Sequence, residues 1–120
     1  LIAHAAVYNR LTQYGADYGS DRRRFGEHWE NPELYARISP HTGAGNFNTP
    51  TLVIHGEADY RVPLNHGIEL FQTLQNRGVR SRLIYFPEQN HWVLTPQDSI
   101  FWYHAKAEWL DEFIGTGPTE

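Results

Sequence analysis

Residues 49–63 read TPTLVIHGEADYRVP. The first part is β-branched and apolar, with Pro50 at its start and Gly56 at its end, which is the pattern of a strand. The segment HGEADYRVP (55–63) then brings His, Glu, Asp and Arg together within seven positions. A buried strand that ends in so much charge either reaches water at that point or carries a site at its end.

Strands and helices alternate on both sides of this stretch. The segment PLNHGIELFQTLQNRG (63–78) predicts an amphipathic helix, SRLIYFP (81–87) a third strand and SIFWYHAKAEWLDEFIG (99–115) a final helix. LIAHAAVY (1–8) is short, apolar and uninterrupted, as a strand buried on both faces would be. This order predicts an α/β fold of parallel strands with right-handed crossover helices.

The two long helices carry apolar side chains at helical spacing. We expect these side chains to face the core; they are Leu64, Ile68, Phe71 and Leu74 in the first helix, and Trp102, Trp109, Leu110 and Phe113 in the last. Between Asn9 and Asn48 the apolar residues follow neither the helical nor the strand periodicity. Only ENPELYARISP (30–40) there reads as a short helix, with Pro32 near its start.

Composition limits the classes of function. The 120 residues suit one domain, and 40% apolar residues are enough for a core. The net charge is −4 and Arg22–Arg24 is the only cluster of like charge, so we predict a solvated face there and no nucleic-acid partner. No apolar run reaches membrane-spanning length, and the absence of cysteine excludes disulfides.

Two polar loops follow consecutive strands, HGEADYRVP (55–63) and PEQNHW (87–92). In parallel sheets functional groups gather beyond the carboxyl ends of the strands, so we expect Asp59 and His91 to meet there. An Asp that orients a His forms two-thirds of a nucleophilic triad. In α/β-hydrolases the triad order along the chain is Ser, Asp, His, and here His91 follows Asp59 by 32 positions.

At these residues the sequence resembles a known family. TPTLVIHGEADYRVP (49–63), FQTLQNRGVRSRLIYFPEQNHW (71–92) and WLDEFIG (109–115) are similar to the C-terminal end of prolyl oligopeptidase family serine peptidases, in the dipeptidyl-peptidase and acylaminoacyl-peptidase branches. LIAHAAVYN (1–9) and WENPELYARISP (29–40) resemble the segment just before it. The resemblance therefore covers nearly the whole chain.

The resemblance implies a role for three residues. Asp59 would be the triad acid, His91 the triad base, and Arg61 would bind a carbonyl of the bound peptide. The family's nucleophile lies on a Gly-x-Ser-x-Gly elbow, and no such pattern occurs in residues 1–120. We therefore expect residues 1–120 to be the C-terminal part of a peptidase domain, inactive alone, with the elbow and a β-propeller upstream.

The same resemblance defines the expected partners, which are a peptide substrate and the remainder of the peptidase chain. It implies no cofactor. His55, Glu57 and Asp59 would face one side of an extended strand, but no second cluster supplies further metal ligands, so we predict no metal site. We expect His55 to be a packed, hydrogen-bonded residue and Glu57 to make a structural contact.

Two other functions fit the same residues. One is an esterase-type α/β-hydrolase. The other is a non-catalytic hydrolase-like module that binds a partner, against which an exposed sheet edge argues, because open edges favour aggregation or homo-oligomer formation. Composition does not specify a compartment, and the resemblance is compatible with a periplasmic or a cytoplasmic bacterial enzyme.

Overall fold

A computed structural model describes residues 1–17 and 19–115. The strands are β1 (Ile2–His4), β2 (Thr51–Gly56) and β3 (Ser81–Phe86); the α-helices are α1 (Arg10–Tyr14), α2 (Ser20–Phe25), α3 (Pro32–Ile38), α4 (Asn65–Asn76) and α5 (Pro96–Ile114), and a 3-10 helix spans Pro40–Asn46. The strands form one parallel sheet in the order β1-β2-β3. The predicted α/β arrangement of parallel strands and crossover helices is confirmed.

The second strand lies in the middle of the sheet, and all six of its residues are buried. Leu52 and Ile54 pack in one apolar cluster with Trp109 of α5, whereas Val53 packs in a second cluster with Leu74 of α4. Alternate side chains of a strand point to opposite faces, so the two clusters mark the two faces of the sheet. The apolar residues of this strand are uninterrupted because helices pack on both faces of the sheet.

The first strand is shorter than predicted. It ends at His4, because Ala5 has φ +46°, a left-handed conformation that turns the chain out of the extended geometry. The backbone N–H of Ala5 still donates a hydrogen bond to the carbonyl of Ile54 at 3.0 Å. The chain therefore leaves the sheet four residues earlier than the apolar run suggests.

One face of the sheet is covered by α4. Its buried residues are His66, Gly67, Leu70 and Leu74. Leu74 faces the core as predicted, but Ile68 is 47% exposed, which corrects that part of the predicted stripe. Leu70 lies four positions after His66 and three after Gly67, and Leu74 lies four after Leu70, as one helix face requires. The face includes a histidine and a glycine that a count of apolar side chains omits.

The opposite face is covered by α5, where Ala105 and Trp109 are buried and Trp102 is partly buried. The prediction was wrong for two residues, because Leu110 is 41% and Phe113 is 39% exposed. Leu110 directly follows the buried Trp109, so it points about 100° away from it around the helix, whereas Phe113 packs against the Trp109 ring with centroids 4.7 Å apart and keeps part of its surface exposed. Within the described part of the chain no helix combines the length and the hydropathy of a membrane span.

Residues 9–48 contain more helix than the sequence predicts. The α3 helix lies within the predicted segment 30–40, but α1, α2 and the 3-10 helix were not predicted. With five and six residues, α1 and α2 are too short to show a period, and tertiary contacts hold them. The Arg10 guanidinium of α1, for example, pairs with the buried Asp21 carboxylate of α2 at 3.0 Å.

Buried His66 joins α4 to the chain that leaves β1. Its Nδ1 accepts hydrogen bonds from the backbone N–H groups of Tyr8 and Asn9, at 3.1 and 3.2 Å. A ring nitrogen accepts only when it carries no proton, so both bonds require the neutral imidazole. Burial, with a smaller contribution from His55, lowers the pKa of His66 from 6.5 to about 4.

We expect acidification from pH 6.5 to about 4 to destabilise the fold through His66. The unfolded chain takes up this proton near pH 6.5 and the folded chain only near pH 4. In that window the unfolded state binds more protons, so the free energy of unfolding falls as the pH falls, by on the order of 3 kcal/mol in all. Above pH 6.5 both states are neutral at this residue and the full stability is present.

Urea unfolding of the protein that carries this chain, at about pH 7.5 and about pH 4.5, measures this effect. The control variant is His66→Asn, whose amide oxygen can accept both hydrogen bonds without titrating. The wild type should lose more stability than the variant between the two pH values. Equal losses in the two proteins would contradict the assignment.

Candidate active site

The loops that follow β2 and β3 lie side by side at the carboxyl edge of the sheet. The backbone N–H of Glu57 donates to the carbonyl of Phe86 at 2.9 Å, and that of Ala58 donates to the carbonyl of Gln89 at 3.0 Å. These bonds extend the pairing of the two strands beyond their ends. They bring the predicted site residues of both loops to one place.

Asp59 and His91 meet across these loops. The Asp59 Oδ2 atom lies 2.9 Å from His91 Nδ1, a hydrogen-bonding distance. The expected juxtaposition of the two side chains is therefore present. Because a carboxylate oxygen accepts, His91 Nδ1 carries a proton, and in the neutral imidazole the lone pair is then on Nε2.

The Asp59 carboxylate is held in a fixed orientation. It is 2% exposed, and its Oδ1 accepts hydrogen bonds from the backbone N–H groups of Arg61 at 3.0 Å and Val62 at 2.9 Å. Asp side chains commonly bond to the backbone two or three residues ahead in this way. With Oδ1 occupied by the turn, Oδ2 is the oxygen that faces His91.

Gly56, the last residue of β2, sets the separation of the two loops. A Cβ atom built on it would lie 2.4 Å from the carbonyl oxygen of Gln89 and 2.5 Å from that of Asn90. Both contacts are with backbone atoms, which cannot rotate away as a side chain can. Only glycine at this position allows the backbone next to His91 to approach β2 so closely.

Gln89 fixes the His91 loop to the start of α5. This buried side chain donates from Nε2 to Thr95 Oγ1 at 2.6 Å and to Asp98 Oδ2 at 2.7 Å, and its Oε1 accepts from the backbone N–H of Leu94 at 2.9 Å. The sequence carries little signal for this role, since a polar loop residue is ordinarily solvated. Buried polar groups that are fully bonded make a local structure rigid.

Arg61 and Trp92 stand beside the Asp59–His91 pair. The Arg61 guanidinium carbon lies 5.3 Å from the centroid of the Trp92 ring, within cation–π range. The Trp92 ring also contacts the His91 ring edge-on, with centroids 5.5 Å apart. An open cleft of about 380 Å³ is lined by these three side chains together with Asp17 and Tyr60. A substrate in this cleft could contact the imidazole and the guanidinium at once.

The other residues of the loop have structural contacts. His55 is completely buried and its Nε2 lies 2.7 Å from the carbonyl of Val62. Glu57 hydrogen-bonds the Tyr85 hydroxyl, and this bond is the main cause that raises the pKa of Tyr85. Both observations agree with the structural contacts expected for His55 and Glu57. Within residues 1–17 and 19–115 no three His, Cys, Asp or Glu side chains are grouped so that they could bind one metal ion.

Known proteins have similar sequences. The sequence model of the prolyl oligopeptidase family matches residues 1–117. Dipeptidyl-peptidase 4 of Giardia intestinalis is 46% identical over 88 residues, which cover 73% of this chain and 12% of that protein. Dipeptidyl-peptidase 5 of Schizosaccharomyces pombe is 35% identical over 116 residues, which cover 92% of this chain and 16% of that protein. The chain thus spans less than a fifth of the length of these two relatives.

Solved structures share the fold. Pyrococcus horikoshii acylaminoacyl peptidase matches 92% of this chain and 19% of its own length, with a TM-score of 0.85 and 26% sequence identity. An acylaminoacyl peptidase in complex with Z-Gly-Gly-Phe-chloromethyl ketone matches 99% of this chain and 20% of its own, with a TM-score of 0.88 and 24% identity. The sheet and helices described above are accordingly a portion of an α/β-hydrolase fold.

Proposed function

Because the chain belongs to the prolyl oligopeptidase family, we propose that it is part of a serine peptidase and supplies two members of its Ser-Asp-His triad. Asp59 is the acid and His91 is the base. The observation that carries the proposal is the 2.9 Å contact between Asp59 Oδ2 and His91 Nδ1 in a buried, hydrogen-bonded setting. The names of the dipeptidyl-peptidase relatives support peptide-bond hydrolysis as the reaction.

The geometry supports a defined proton path. His91 Nε2 takes the proton from the serine hydroxyl as its oxygen attacks the peptide carbonyl carbon, and later gives that proton to the leaving amine. Asp59 stays ionised, holds Nδ1 in its protonated tautomer and stabilises the imidazolium that forms. Water then cleaves the acyl-enzyme by the same path. The His91 side chain is 28% exposed, so its ring reaches the cleft where this chemistry would take place.

We place the nucleophile outside these 120 residues. The chain has four serines, Ser20, Ser39, Ser81 and Ser99, and none lies in a Gly-x-Ser-x-Gly elbow. The remainder of the peptidase chain is therefore the partner that completes the triad, and it would also supply the oxyanion-hole donors and the propeller. Residues 1–120 by themselves should not cleave peptides.

Arg61 is the substrate anchor in this proposal. Its backbone is fixed on both sides, since its N–H donates to Asp59 and its carbonyl accepts from Gln13 Nε2 at 2.8 Å. The Trp92 ring lies under the guanidinium and limits its movement. A carbonyl of a bound short peptide would accept a hydrogen bond from this cation while its scissile bond lies near His91.

We expect Arg61→Leu to raise KM for a short peptide about 10- to 100-fold with little change in kcat. A hydrogen bond from a charged donor contributes about 1.5–3 kcal/mol, and this contact would be made equally in the ground state and the transition state. Steady-state kinetics measure both constants. Arg80→Leu is a matched control, because Arg80 is exposed and pairs with Glu112 at 2.7 Å. If kcat falls and KM does not, Arg61 is not a ground-state anchor.

A substrate panel tests the proposal as a whole. The protein that carries this chain is assayed on short peptide amides and on simple esters, before and after treatment with a fluorophosphonate. Peptide cleavage that the fluorophosphonate abolishes supports a serine peptidase. Ester hydrolysis without peptide cleavage would instead indicate the esterase-type hydrolase. Absence of both hydrolysis and labelling would leave the non-catalytic binding module.

A further inference from the structure

His55 is a completely buried histidine that the proposed mechanism does not use. It is the penultimate residue of β2, directly before Gly56. Its Nε2 lies 2.7 Å from the carbonyl oxygen of Val62. A carbonyl can only accept, so Nε2 carries the proton and donates this hydrogen bond. The bond fixes both the tautomer and the orientation of the ring.

Val62 is hydrogen-bonded to both His55 and Asp59. The Val62 carbonyl accepts from His55, and the Val62 N–H donates to Asp59 Oδ1 at 2.9 Å. Both backbone polar groups of Val62 are thereby engaged around the carboxylate. Movement of Val62 would remove one of the two backbone hydrogen bonds that orient the carboxylate.

His55 also lies close to the carboxylate itself. Its Nε2 is 3.8 Å from Asp59 Oδ2, and both side chains are fully buried. This distance is too long for a hydrogen bond, and the Nε2–H group donates to the Val62 carbonyl instead, but its partial positive charge still lies near a carboxylate that has little water around it. Asp59 therefore lies between two imidazoles, the buried His55 and the partly exposed His91.

The α4 helix holds the His55 ring from behind. A Cβ atom on Gly67 would lie 2.7 Å from His55 Nδ1 and 3.1 Å from His55 Cβ. The ring therefore fits between Val62 and the helix only because residue 67 has no side chain. Gly67 belongs to the buried face of α4, and the three atoms nearest to such a Cβ all belong to His55.

We propose that His55 is a positioning residue that orients the Asp59 carboxylate toward His91 through the Val62 turn. This inference rests on the proposed function. It assigns to the histidine at the end of β2 a role beyond packing. The role depends on the hydrogen bond that His55 Nε2 donates to the Val62 carbonyl. Another side chain with a donor at this position should therefore keep Asp59 oriented.

The experiment compares His55→Gln with His55→Leu in the protein that carries this chain. The Gln amide can donate to the Val62 carbonyl, whereas Leu fills similar space without a donor. We expect His55→Leu to lower kcat about 10- to 100-fold, since a misplacement of about 1 Å can cost 10²-fold, while KM changes less than about twofold. His55→Gln should recover most of kcat. All rates are counted per fluorophosphonate-labelled site.

Two further variants separate positioning from loss of stability. Val53→Ala removes a buried side chain of the same strand, so it should lower the unfolding temperature and leave kcat per labelled site unchanged. Gly67→Ala would displace the His55 ring and should lower kcat at constant KM, whereas Gly43→Ala, where a Cβ atom would meet nothing within 4 Å, should have no effect. The glycine pair gives a result even if His55→Leu does not fold.

The outcomes are distinct. A folded His55→Leu variant with wild-type kcat overturns the inference, and so does a Gln variant that is as slow as the Leu variant. If His55→Leu does not fold, wild-type kcat in Gly67→Ala overturns it. Absence of fluorophosphonate labelling in the wild type is a failure of the proposed function, not of the role of His55.

Discussion

Asp59→Asn should lower kcat about 10⁴-fold in the protein that carries this chain, the size of effect known for the triad acid of a serine protease. The Asn oxygen can keep the bonds from the Arg61 and Val62 N–H groups, so the turn should stay intact. The Asn amide would then occupy the place of Oδ2 and donate to His91 Nδ1. That donation forces the proton onto Nε2, and the imidazole can no longer accept the serine proton.

The measurement is kcat on a short peptide, counted per molecule of folded protein, together with thermal unfolding. Glu57→Gln is the control, because Glu57 is an exposed carboxylate of the same loop that bonds Tyr85. It should stay within about twofold of the wild-type kcat, as surface substitutions usually have small effects. An Asp59→Asn variant within tenfold of the wild type would exclude Asp59 as the triad acid.

His91→Ala should be at least as severe, with a loss of kcat between about 10⁴- and 10⁶-fold. Without the imidazole no group takes the serine proton, and only binding and the oxyanion hole continue to accelerate the reaction. The His91 side chain is 28% exposed and borders the cleft, so truncation leaves a hole that solvent reaches. Free imidazole at high concentration should enter this hole and restore part of the activity.

His104→Ala is the matched control, since His104 is an exposed histidine of α5. It should retain wild-type kcat and show no response to imidazole. Near-normal activity in folded His91→Ala would contradict the assignment of His91 as the base. Thermal unfolding of both variants shows that the loss of activity does not come from loss of the fold.

The central part of the fold could be predicted from sequence because its pattern is simple. β2 and β3 are β-branched or apolar runs bounded by Pro and Gly, and α4 ends before Gly78, whose φ of +69° favours glycine. The proximity of Asp59 and His91 could be predicted from this order, since sequential parallel strands present their carboxyl ends at one edge of the sheet. The predicted membership of the prolyl oligopeptidase family is confirmed.

Other features could not be predicted because they depend on contacts between distant residues. The burial of Gln89 follows from its bonds to Thr95 and Asp98, which the local sequence does not encode. The exposure of Leu110 and Phe113 depends on which side of α5 contacts the sheet around Trp109, which the apolar side chains alone do not reveal. Short helices such as α1 are stabilised by tertiary contacts rather than by a repeating pattern.

The location of both triad candidates in one strand–helix–strand unit has a consequence for folding kinetics. Parallel strands cannot pair through a tight turn, so β2 and β3 must await the packing of α4, and non-local pairing of this kind is slow. Asp59 precedes α4 and His91 follows β3, 32 residues later along the chain. Their hydrogen bond should therefore form together with this one crossover, and activity regained on refolding should rise no faster than the protection of β2 amides from hydrogen exchange.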